Sequence, residues 1–242
     1  WMSDWGATLI SAGTLPMRDG LMAPRGTLGD TVVASNVLLL QGAAGTILID
    51  TAAGEMHGAW EGAASDLAAA LAPRCRLDEI DTVVLTHLDF DHAGGAPDVP
   101  VKRVIVTATA ANWARSGDEH TDTAAAVMAR LGDRAVEVAD GAEVAPGVRL
   151  VEAPGHRGGH ACVEIDASDG RRVFLADVIH HPLHVAHPEW DSEFDSDPEF
   201  ALRTRRDWLE RLAGTGVPCA ASHIDGWGTI EPGADGLGWR PL

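Results

Sequence analysis

The sequence predicts an α/β (α+β) fold: an αββα sandwich of two mixed β-sheets with helices outside. Three observations point there. Apolar strand runs come in hairpin-like groups and alternate with helical stretches, the pattern of sheets covered by helices. Four of these runs end at once in His or Asp, which puts polar side chains at the mouths of buried strands. The 242 residues can also bury a sizeable core, and one domain over residues 1–242 is expected ahead of two.

In chain order, residues 7–16 read as the first strand. Residues 31–40 and 45–50 form a hairpin through Gly42–Gly45 that ends on the polar edge Asp50-Thr-Ala-Ala-Gly54. The Ala-rich stretch 59–72 reads as a helix stopped by Pro73. Strand 82–86 and strand 103–107 follow, then helices 108–115 and 121–131 around the polar loop Ser116–His120. Residues 135–138, 148–152, 161–165 and 172–175 are four further strands between Gly- and Asp-containing turns. Residues 178–197 lack any period and are expected to form a functional lid or binding loop. Helix 198–213 has Asp197 as N-cap, Pro198 at its first position and Gly214 after its end. Its apolar residues Phe200, Ala201, Trp208, Leu209 and Leu212 fall mainly on one face. A last buried strand, 217–222, leads into His223, and the Gly-rich tail 227–239 reads as edge strands.

Composition narrows the function. A formal charge of −18 argues against nucleic-acid and anionic membrane partners, both of which need a basic surface. Cys75, Cys162 and Cys219 are too widely spaced for a thiolate metal knot and read as buried thiols. No apolar run approaches the roughly 18–20 residues that cross a bilayer, and no signal peptide is legible, so a cytoplasmic protein is expected. Trp1 ahead of Met2 reads as a cloning remnant.

The chemistry concentrates in Leu85–Gly95. His87, Asp89, Asp91 and His92 fall within six residues, after an apolar run and before a Gly pair. Four adjacent residues cannot surround an ion alone, so other ligands must come from elsewhere. The strand ends at His156, Asp177 and His223 are the places to look.

The series His87-x-Asp89-x-Asp91-His92, Pro154-Gly-His156, Asp177 and Ser222-His223 resembles the metallo-β-lactamase superfamily over essentially the whole chain. That resemblance implies an αββα fold and two divalent metal ions per chain, with zinc expected. The first ion would use His87, Asp89 and His156; the second would use Asp91, His92 and His223; Asp177 would bridge them. It further implies a bridging hydroxide as nucleophile, ions about 3.5–4 Å apart, and Asp91 relaying a proton. The departure is Asp89, where the family's HxHxDH has its second histidine. An oxygen donor there also suits Mn or Fe, and the flavodiiron branch is similar in placing a carboxylate at that position.

Within the superfamily, the chain is most similar to the quorum-quenching lactonase and organophosphate-hydrolase branch. Those lactonases carry an oxyanion-stabilising tyrosine three residues after the bridging Asp. This chain has no tyrosine, and His180 stands at the matching position. Asp177 counts against a true β-lactamase, and the lack of an insertion and basic surface counts against a nuclease. Against the basic and aromatic C-terminal residues with which the glutathione thioesterases hold glutathione, the tail offers only Arg240 and no Lys. Two classes stay open. One is a dinuclear hydrolase opening a lactone or cleaving an ester-type bond in a small molecule, with thioesterase and phosphotriesterase variants. The other is a non-hydrolytic di-iron redox or oxygen-binding protein. Proteins of the lactonase-like branch often dimerise, so the resemblance leaves a homodimer open beside a monomer. Asp50 and His160 are expected to support ligands, Cys162 to be filler, and Trp190 and Phe194 to line an apolar pocket.

Overall fold

The computed structural model describes residues 4–234 and 236–242, so the reading of Trp1 and Met2 falls outside the described residues. The strands are β1 (Gly6–Met17), β2 (Thr31–Gly42), β3 (Gly45–Ile49), β4 (Ala64–Ser65), β5 (Thr82–Val84), β6 (Val104–Thr107), β7 (Ala135–Val138), β8 (Glu143–Ala145), β9 (Val148–Glu152), β10 (Ala161–Ala167), β11 (Gly170–Phe174), β12 (Cys219–Ala220), β13 (Gly228–Gly233) and β14 (Gly236–Pro241). They form two mixed sheets of seven strands, ordered β4-β1-β2-β3-β5-β6-β7 and β14-β13-β12-β11-β10-β9-β8. The helices are α1 (Leu67–Leu71), α2 (Phe90–Ala93), α3 (Ala108–Ser116), α4 (Asp122–Leu131), α5 (Leu183–Ala186) and α6 (Pro198–Leu212). The expected αββα sandwich is what the chain forms.

The run Val37-Leu-Leu-Leu40 explains how three apolar layers are built. Strand side chains alternate faces, so a continuous apolar run signals a strand covered on both sides. Val37 and Leu39 pack outward beneath α3 and α4, with Leu48, Val83 and Val127. Leu38 and Leu40 point inward, meeting Val163, Ile165 and Phe174 of the second sheet. All four are fully buried, and truncating such a leucine to alanine costs about 2–5 kcal/mol. The second sheet's outer face is covered by α6, through Trp208, Leu209 and Leu212.

Three sequence expectations are corrected. Residues 59–72 are α-helical only over Leu67–Leu71. Gly62 takes φ +80°, and Ala64–Ser65 pairs as an edge strand with Gly13 and Thr14, so alanine's helix preference yields to sheet pairing. Strand 217–222 shrinks to Cys219–Ala220, because the chain turns away to place His223. On α6, Phe200 is 41% exposed and Arg205 takes the buried place instead. No helix among the described residues is long and apolar enough to cross a membrane.

Candidate metal centre

The polar strand ends converge at one edge of the sandwich. His87 follows β5, and Asp89, Asp91 and His92 come from the turn into α2. His156 follows β9, Asp177 follows β11, and His223 follows β12. The Gly94-Gly95 pair lets this loop lie directly on Thr51–Ala53. A Cβ on Gly94 would sit 2.3 Å from the Ala53 carbonyl oxygen, and one on Gly95 2.4 Å from that of Thr51.

Asp177 Oδ2 is the hub. It lies 3.3 Å from His92 Nε2, 3.3 Å from His156 Nε2, 3.4 Å from His223 Nε2 and 3.9 Å from His87 Nε2. Asp91 Oδ2 is 3.5 Å from both His92 Nε2 and His223 Nε2. Asp89 Oδ2 is 3.9 Å from His87 Nε2 and 3.8 Å from His156 Nε2. Donor atoms therefore group as His87–Asp89–His156 and as Asp91–His92–His223, with His87–His92–Asp177 between them, each set within 4.8 Å.

The ring nitrogens pointing away from the hub are all held. His92 Nδ1 donates to Asp50 Oδ2 at 2.9 Å. The same carboxylate accepts from the Thr86 backbone and hydroxyl, and Thr86 Oγ1 in turn stands 3.1 Å from His87 Nδ1. Asp50 thus fixes two rings from a strained backbone, at φ +58°. His156 Nδ1 donates to Asp195 Oδ1 at 3.0 Å, and His223 Nδ1 to the Ala34 carbonyl at 2.7 Å. The inward Nε2 atoms of His87, His92 and His156 and Asp177 Oδ1 are buried and have no hydrogen-bond partner. Leaving buried polar atoms unpaired costs about 1–3 kcal/mol each, and a bound cation removes that cost. The donor set of imidazoles and carboxylates, with the outer nitrogens tied, fits divalent metal.

Electrostatics divide the four histidines: against the effect of burial, the Asp177 and Asp91 carboxylates raise the His92 and His223 imidazoles above their usual range. Burial lowers the His87 and His156 imidazoles well below their usual range, keeping them in the neutral, metal-binding form. Burial would raise the Asp177 carboxyl, but His92 and His223 beside it hold it well below the carboxylate range. Asp89 is different. Burial pushes its carboxyl up to about 6 against the Arg157 guanidinium, whose Nε donates to Asp89 Oδ1 at 2.9 Å.

His160 is not among the donor groups: its Nδ1 donates to the Ala153 carbonyl and its Nε2 accepts the Asp177 backbone N–H. Cys162 is buried against the Leu175 carbonyl. His180 is buried, its Nε2 lying 3.6 Å from Asp177 Oδ2, and neither ring nitrogen has a partner.

A cavity of about 220 Å³ opens over Asp89, Asp91, His156, Asp177, His180 and His223. Leu15, Met17, Trp60, Phe90 and Phe194, which pack in one apolar cluster, make one wall, and His120, Asp122, Thr123 and Arg157 complete the lining. Trp190 is not in the lining and stacks on His187 instead, at 4.3 Å. Sequence reasoning missed several supporting residues. Ser35 and Asn36 had a signal, two polar residues inside an apolar strand. Both are buried; Ser35 Oγ donates to the Asp91 carbonyl, and Asn36 Nδ2 to those of Ala221 and Ile224. Asp195, Arg205 and Trp60 had none.

Fold and donor set together define a candidate metal site at the edge of an αββα sandwich. The metallo-beta-lactamase superfamily model matches residues 30–217, and the chain belongs to that superfamily. The probable metallo-hydrolase Mb2322c of Mycobacterium bovis is 31% identical over 121 residues, 44% of this chain and 39% of the relative, so the match spans well under half of that protein. Among solved structures, the dizinc quorum-quenching lactonase AidC, in complex with a product, N-hexnoyl-L-homoserine, has a TM-score of 0.82. It is 20% identical, with 100% of this chain and 98% of that one covered. The hydrolase AbOPH gives 0.81 at 22% identity, covering 99% and 94%. An AiiA variant of B. thuringiensis, with N-decanoyl-L-homoserine bound at the active site, gives 0.76 at 20% identity, covering 92% and 94%. At such identities these likenesses speak for the fold.

Proposed function

We propose that this chain is a dinuclear hydrolase that opens a lactone, or cleaves an ester-type bond, in a small molecule carrying an apolar substituent. The observation that carries this reading is the convergence of four imidazole Nε2 atoms on Asp177 Oδ2, at 3.3–3.9 Å, beneath a cavity with one apolar wall. Bound divalent ions would supply a water of lowered pKa and polarise the substrate carbonyl oxygen. His87, Asp89 and His156 would hold one ion and Asp91, His92 and His223 the other, with Asp177 shared. Zinc suits this set, and the Asp89 oxygen also admits Mn or Fe.

The chain's own residues do the rest. Asp50, Thr86, Asp195 and the Ala34 carbonyl hold the imidazoles in place, so the donors are oriented before any ion arrives. Water oxygen bonds to the carbonyl carbon, the ring or ester C–O bond breaks, and the water's proton ends on the leaving oxygen. Asp91 reaches both the donor cluster and the cavity, a position suited to carrying that proton. Leu15, Met17, Trp60, Phe90 and Phe194 receive the apolar substituent and exclude water. The acyl-homoserines bound in the AidC and AiiA structures, one polar end and one acyl chain, have that shape.

The test is a panel of lactones, aryl esters, thioesters and phosphotriesters with metal-loaded protein, repeated after chelation. Chelator-sensitive turnover of lactones or esters that improves with acyl length is expected. Metal-replete protein that turns over none of them would overturn the reading. Asp89 favours a second reading, a non-hydrolytic di-iron protein, which would be yellow-brown as purified.

A further inference from the structure

We propose that His180 is itself a metal ligand, supplying at the His156–Asp177 side of the centre the nitrogen that residue 89 does not. This rests on the metal centre proposed above. It replaces the oxyanion role expected from the position of His180 in the sequence.

Asp89 is a compromised donor. Its Oδ1 is committed to Arg157, whose guanidinium is in turn fixed by the His156 and Phe194 carbonyls and Ser196 Oγ. Only Oδ2 faces His87 and His156, and its charge is shared with a cation. A site that exchanges an imidazole for a half-neutralised carboxylate has lost electron donation on that side.

His180 is placed to restore it. Metal–nitrogen bonds of about 2.0–2.1 Å at tetrahedral angles put neighbouring donor atoms roughly 3.4 Å apart. His156 Nε2 and His180 Nε2 stand 3.3 Å and 3.6 Å from Asp177 Oδ2, and donor atoms of the three residues lie within 4.8 Å of one another. His180 is 1% exposed, and neither of its ring nitrogens has a partner. The neighbouring buried histidines differ: His160 and His184 each have both nitrogens engaged. The His180 backbone is anchored from outside the centre, its N–H donating to His184 Nδ1 at 3.2 Å, while His184 Nε2 is tied to the Met22 carbonyl. Its ring lies parallel to that of the ligand candidate His223, with centroids 5.8 Å apart. Unlike the other candidates, His180 has no tie on its Nδ1; what singles it out is a buried Nε2 facing Asp177 with no partner in the protein, on a backbone anchored from outside the centre.

Two measurements decide. In zinc-loaded protein carrying ¹⁵N-histidine, long-range proton–nitrogen correlation reads each imidazole nitrogen. One His180 nitrogen is expected at a metal-bound shift that is lost on chelation. In chelator competition, His180→Ala is expected to lose about 100-fold in affinity for one of two ions. His180→Asn, which can still donate a hydrogen bond, should not recover it. If His180→Ala keeps both ions within about threefold while kcat falls, the residue serves the substrate oxyanion and the ligand role is overturned. A wild-type chain that takes up no zinc would instead overturn the metal centre as a whole.

Discussion

Arg205 donates from Nη2 to Asp195 Oδ2 at 3.2 Å, and both side chains are 2% exposed. Asp195 passes the restraint on, holding His156 Nδ1 through its other oxygen. Arg205 also donates to the carbonyls of Val178, Pro188 and Trp190, so one guanidinium on α6 gathers both ends of the 178–195 segment. Removing one member of such a buried pair strands the other. Arg205→Met should destabilise the metal-free protein by about 3–5 kcal/mol, read from urea unfolding. Asp195→Asn should weaken metal binding about 10–100-fold, read by chelator competition, because His156 loses its orienting carboxylate.

Asp89 and Arg157 are expected to behave as a unit. Asp89→His alone restores the family pattern but leaves the Arg157 guanidinium without its carboxylate, at a cost of about 1.5–3 kcal/mol. Adding Arg157→Gln should recover a large part of that loss. A double-mutant cycle on denaturant stability should give a coupling of about 1–3 kcal/mol, and strict additivity would contradict the pairing.

The buried thiols make a separate prediction. Burial pushes the Cys219 thiol up to about 12 and raises Cys162 well above its usual value. Iodoacetamide at pH 8 should label neither until urea is added. The raised folded pKa also fixes a sign. Below about pH 9 the thiol is protonated in both states, so its contribution to stability is intact; above that the unfolded chain ionises first. Stability should therefore fall between pH 9 and 12, by up to about 4 kcal/mol from Cys219. Cys219→Ala should flatten that slope.

Trp60 and Phe194 meet edge to face at 6.0 Å on the apolar wall, and Trp60 Nε1 is tied to the Pro16 carbonyl. Truncating either to alanine should cost roughly 1–2 kcal/mol in kcat/KM for substrates with long apolar chains. Short-chain substrates should be spared. Equal losses for both would place the apolar group elsewhere.

Much of this architecture was legible in the sequence, for identifiable reasons. The fully apolar β2 run announced a strand covered on both faces, and Asp197-Pro198 announced where α6 begins. The four strand-to-His or strand-to-Asp junctions named residues that the fold then brings to one edge. What was not legible depends on tertiary contact. Trp60 sits in an Ala-rich stretch that reads as helix until the pairing of Ala64 and Ser65 with β1 is known. Asp195 is one of several acids between Asp191 and Asp197, and only the position of His156 singles it out. Arg205 reads as a surface residue of an amphipathic helix, because its burial follows from carbonyls arriving out of a loop.

The donor set is divided between the two halves of the sandwich. His87, Asp89, Asp91 and His92 follow a strand of the first sheet; His156, Asp177 and His223 follow strands of the second. An ion seated among them would work as a rivet through two plates, and opening the sheets would mean giving it up. Its binding energy would then reappear as resistance to unfolding, about 4 kcal/mol per ion at a thousandfold excess over Kd. Melting temperature should climb with free zinc and drop on chelation. Cells short of the ion would hold a looser protein, more exposed to proteolysis, so metal supply would set its abundance as well as its activity.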